Sequence, residues 1–142
     1  MLIHDTDYLG PLVLQAVGEH EPVAKCIDIG AEIRGSSDRI SFLAMADGSC
    51  RRGAKAPGYF DERAISFDLE VERTIRSANL EALLGVDQKL AHELLAQGRS
   101  TWQVLAAATR GQEYETSILY AGDPFGVAYL VASFLRRPTG AS

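Results

Sequence analysis

Residues 39–46 read Arg-Ile-Ser-Phe-Leu-Ala-Met-Ala, a run that is apolar on both faces except at Ser41. A strand apolar on both faces is what a parallel sheet covered by helices demands, so the run predicts the central strand of the fold. Just before it, the apolar positions Val23, Cys26, Ile27, Gly30 and Ile33 recur at helical spacing. Pro22 suits the first turn of that helix, where a missing N–H costs nothing, and Gly35-Ser36-Ser37-Asp38 ends it. Further upstream, Leu12 to Val17 is short, apolar and bracketed by Gly10-Pro11 and Gly18, which predicts a buried strand.

Downstream of the central run, Asp47 to Tyr59 reads as a long loop with Gly48, Gly53, Pro57 and Gly58. A helix follows, with Phe67, Val71 and Ile75 in one stripe at steps of four. Residues 79 to 110 divide into three short helical pieces. The first starts at Leu80, the second has Asp87 as its N-cap, and the third opens with Ser100-Thr101-Trp102-Gln103 at capping-box spacing and stops at Gly111. Tyr114 to Tyr120 alternates as a strand, Val127 to Phe134 is a second, and Ala121 to Gly126 is the turn of a hairpin. The expected fold class is therefore α/β. It has a mixed sheet flanked by helices, with a helical insert between the central strand and the last two strands.

Length and composition point to one domain over residues 1–142. Residues 1–36 form a strand–helix lead-in, and 136–142 a flexible tail. The 14 basic against 19 acidic residues give a net charge of −5, which argues against nucleic acid as a partner. No apolar run is long enough to span a membrane, and the N-terminus, with Asp5 and Asp7, lacks the basic start of a signal peptide. Cys26 and Cys50 are too few for a disulfide framework and predict free thiols in the cytoplasm.

The segment from Ala46 to Val71, ADGSCRRGAKAPGYFDERAISFDLEV, resembles the region after the central strand in class III extradiol ring-cleavage dioxygenase B subunits. There a Gly-Asp-x-Ser-His-Arg motif and a Pro/Gly/Tyr loop precede a helix. Asn79 to Asp87 and Asp123 to Tyr129 resemble two later stretches of the same family. The resemblance implies that residues 37–135 correspond to the C-terminal half of the family's domain. It also implies that the two histidines of the family's iron site belong to an N-terminal half outside this chain. The motif's acid–base histidine falls at Cys50, and a later ligand position falls around Ala96-Gln97-Gly98. The expected member is degenerate, without metal or other cofactor. The partner it implies is either a second copy in a homodimer or a chain supplying the missing half.

Asp47, Ser49, Cys50, Arg51, Arg52, Lys55 and Tyr59 are the candidate site residues. They lie at the carboxyl end of the expected central strand, where open α/β sheets place ligands. Arg51, Arg52 and Lys55 would suit an anion, and the two arginines would lower the Cys50 thiol pKa. The alternative is a structural turn in which Asp47 and Ser49 serve backbone N–H groups and the arginines pair with carboxylates. Among the histidines, His20 reads as a surface-loop residue and His92 as an exposed helix residue, with no ligand spacing between them. Trp102 reads as a packing anchor. Three functions follow: a non-catalytic interaction module, a metal-dependent dioxygenase-like subunit completed by a partner, or a small-molecule binder at residues 47–59.

Overall fold

The computed structural model describes residues 10–138. Helix α1 (Val23–Gly35) is followed by α2 (Arg63–Arg76), a 3-10 helix (Leu80–Gly85), α3 (Gln88–Glu93) and α4 (Arg99–Thr109). Strands β1 (Tyr114–Gly122) and β2 (Tyr129–Arg136) close the chain. The protein is α/β, with its helices preceding the final strands. The sheet is narrower than the sequence predicts: among the described residues it holds β1 and β2 alone.

Helix α4 is the centre of the molecule, and every residue from Trp102 to Thr109 is buried. A helix buried all round needs small residues where its neighbours cross. Here a Cβ on Gly30 of α1 would lie 2.6 Å from both the Ala107 Cβ and the Val104 carbonyl oxygen. Glycine thus lets the two backbones meet. Phe67, Val71 and Ile75 bury the predicted stripe of α2 against Trp102, with the Phe67 and Trp102 rings 6.4 Å apart. The tryptophan is the packing anchor the sequence suggests. Leu80, Leu83, Ala91 and Leu94 complete this core.

Asp87 caps α3 as expected, its Oδ1 accepting from the Leu90 N–H at 2.6 Å. The capping box expected at α4 does not form. The helix begins two residues earlier with Gly98 at its N-cap, Ser100 is buried, and Gln103 Nε2 donates to the Leu84 and Val86 carbonyls at 3.1 and 3.2 Å. Tertiary partners outcompete the local cap.

The hairpin is antiparallel, running from Tyr114↔Arg136 to Gly122↔Tyr129 with a bulge between Ile118 and Tyr120. Arg136 ends β2, and the Arg137 N–H donates to the Glu113 carbonyl at 2.9 Å. The chain is therefore tied beyond the point where a loose tail was expected to begin, while residues 139–142 lie outside the described part.

Two expected strands are absent. Residues 12–17 form no strand, and all but Val17 are exposed. Residues 39–46 also form no strand, with Phe42, Leu43 and Met45 38%, 64% and 65% exposed. A strand needs a ladder partner, and neither segment has one among the described residues.

Candidate functional site

The loop after residue 46 is held from every side. The Gly98 N–H donates to the Asp47 carbonyl at 2.9 Å, and a Cβ on Gly98 would come within 2.6 Å of that oxygen. The Cys50 N–H donates to Leu94, the Arg52 N–H to Gly126 and the Ala128 N–H to Ser49, all through carbonyls at 3.0–3.2 Å. Within the loop, the Gly58 N–H donates to Cys50 and the Asp61 N–H to Arg51, both at 3.0 Å. One irregular segment thus joins the end of α3, the start of α4 and the hairpin.

At its centre is a buried polar cluster. Ser49 is fully buried, and its N–H and hydroxyl donate to the two oxygens of Asp68 at 2.9 and 2.5 Å. Arg52 Nε lies 3.3 Å from the Asp123 carboxylate and 3.8 Å from that of Asp68, as ion pairs rather than hydrogen bonds. Burial raises the Asp68 pKa, against the opposing pull of the Ser49 hydrogen bonds and the Arg52 charge. Asp68 was not among the candidates. On sequence it is one more charge on α2, and only the tertiary contact across nineteen positions reveals it.

The candidates divide accordingly. Ser49, Cys50 and Arg52 gather around Asp68, and Asp47 is exposed with its carbonyl held by Gly98, whereas Lys55 and Tyr59 are exposed and make no side-chain hydrogen bond or ion pair among the described residues. Arg51 is half-buried, with its Nε buried and lacking a hydrogen-bond partner. Burial raises the Cys50 thiol pKa, and the Asp47 and Asp68 charges raise it further. The expected lowering by arginine is not found, because Arg52 is engaged with the two aspartates.

The positions that the resemblance assigns to iron chemistry do not fit a metal. Burial and neighbouring carboxylates raise the Cys50 thiol pKa, Ala96 is a buried methyl group, and Gly98 packs on the Asp47 backbone. Gln97 is exposed and offers only an amide.

No family model and no curated protein matches this chain.

Beside the cluster opens a groove of about 780 Å³. It is lined on one side by residues 37–46 and on another by β2, from Leu130 to Arg136. Val71, Ile75, Trp102 and Leu105 supply an apolar surface between them. No backbone hydrogen bond joins residues 40–46 to any described residue, and β2 pairs with β1 alone. Both margins therefore carry, among the described residues, unpaired peptide groups beside apolar side chains. Among the described residues no helix is long and apolar enough to cross a membrane.

Proposed function

We propose that the chain is a non-catalytic interaction module, built on a scaffold related to class III extradiol dioxygenase B subunits. In this reading its groove receives an extended, apolar segment of a partner polypeptide. The observation that carries the reading is the segment 40–46, which is apolar and largely exposed and makes no backbone hydrogen bond among the described residues. An incoming strand would pair its backbone with the two unpaired margins and bury its side chains on α2 and α4, the mode of strand addition to a sheet edge. A two-fold pairing of two β2 edges would leave residues 40–46 of both copies unpaired, so a heterologous strand suits the groove better than a second copy.

The enzymatic and small-molecule readings have less support. Ser49, Asp68 and Arg52 are engaged with one another, and Cys50 has a raised pKa and no neighbouring histidine among the described residues. The free thiols Cys26 and Cys50 favour a reducing compartment such as the cytoplasm.

The test uses the separately produced N-terminal half of a class III extradiol dioxygenase B-like domain as probe. Light scattering of the mixture should give a 1:1 complex. Leu43→Asp should abolish the complex without lowering the Tm of the module, because Leu43 is exposed in the free chain. Failure to bind the probe, or a homodimer that Leu43→Asp disrupts, would overturn the reading.

A further inference from the structure

His20 and His92, which sequence reading leaves as separate surface residues, lie side by side. Their rings meet edge to face with centroids 5.1 Å apart, and His20 Nε2 is 3.0 Å from Glu19 Oε1. One ligand atom from each of Glu19, His20 and His92 falls within 4.8 Å of the others. We infer that these three side chains bind a divalent transition-metal ion of the zinc type. They offer two imidazoles and a carboxylate, and leave a fourth position to water.

The backbone beneath the cluster is fixed to an unusual degree for a surface turn. Arg99 is 1% exposed, and it donates from Nη2 to the Glu19 carbonyl and from Nη1 to the Glu21 carbonyl at 2.5 Å. Gln103 Oε1 accepts from the same Nη1 at 2.9 Å and so steadies the guanidinium. Between those two carbonyls, that of His20 accepts from Gln88 Nε2 at 3.1 Å. Three consecutive carbonyls are thus anchored to α3 and α4, and the Glu21 N–H closes the turn on the Gly18 carbonyl at 3.2 Å. His92 comes from α3 itself, one turn beyond Gln88.

A tetrahedral zinc ion with bonds of about 2.0–2.1 Å needs donors roughly 3.4 Å apart. The ligand atoms already lie within 4.8 Å of one another, and closing to the tetrahedral spacing calls for side-chain rotation at three exposed residues. The bound ion would staple the turn that leads into α1 onto α3, adding to the hydrogen bond from Gln88 to the His20 carbonyl.

Calorimetric titration of the chelator-treated, tag-free chain with Zn²⁺ tests this. One ion per chain is expected, with a rise in Tm. His20→Ala and His92→Ala should each weaken binding by at least about tenfold, since even outer-shell substitutions cost that much. Both should also lose the zinc-dependent rise in Tm while keeping the metal-free Tm. Cys50→Ser should bind as the parent does. The inference is overturned by the absence of saturable 1:1 binding, by binding that survives both histidine substitutions, or by binding lost in Cys50→Ser.

Discussion

Residues 39–46 and 47–61 are neighbours in the chain and opposites in the structure. The first is the more regular sequence, yet among the described residues positions 40–46 have no backbone partner; the second is irregular, yet it is bonded throughout, to other elements at residues 47–52 and within itself beyond them. The difference lies in what each segment needs. A strand's peptide groups can be satisfied only by another strand, whereas a loop rich in glycine can find carbonyls and carboxylates one at a time. Regularity in sequence states a requirement, and the rest of the molecule decides whether it is met.

Substitutions should separate the two segments sharply. The largest effect is expected from Asp68→Ala, which leaves the buried N–H and hydroxyl of Ser49 without acceptors. A loss of about 2–3 kcal/mol should appear in urea unfolding. Gly98→Ala should cost somewhat less, about 1–3 kcal/mol, because the new methyl group meets the Asp47 carbonyl oxygen at 2.6 Å and the backbone must shift. In contrast, Leu43→Ser and Met45→Ser in the unpaired segment should change the stability of the isolated chain by less than about 0.5 kcal/mol.

The two aspartates of the loop region respond to acid in opposite senses. Burial raises the Asp68 pKa, so the folded state holds a proton more readily than the unfolded chain. Its contribution is then most favourable below the unfolded value of about 3.9 and declines as pH rises through the folded value. Asp61 is held at about 2, chiefly by hydrogen bonds from Arg63, so its contribution is present above about 3.9 and is lost as pH falls toward 2. Asp61 is half-buried but its partner Arg63 is exposed, so the pair is screened by solvent and should contribute little. Unfolding midpoints of the parent and Asp68→Asn between pH 7 and pH 3 isolate the first effect: the parent should gain relative to the variant as pH falls. A constant difference would contradict a raised Asp68 pKa.

What the sequence made legible was local. The stripe Phe67-Val71-Ile75 announced the buried face of α2, Asp87 announced a cap, and the turn around Asp123-Pro124 announced the hairpin. What it concealed depended on distant partners. Residues 12–17 and 39–46 have strand composition but no ladder partner among the described residues. Gln103 left its expected capping role for carbonyls near α3, and Asp68 gained its role only by meeting Ser49. The candidate loop was visible from its glycines and charges. The bonds that tie it to the helices and the hairpin were not, because Arg52 could be assigned to Asp68 and Asp123 only once the helices were in place.

Amide hydrogen exchange on the free chain tests the central contrast most directly. The amides of Cys50, Arg52, Gly58 and Asp61 should be protected, and those of residues 40–46 should exchange near the rate of an unfolded chain. Protection of 40–46 equal to that of the loop, in a chain that remains monomeric, would show that the segment already has its partner and would contradict the account.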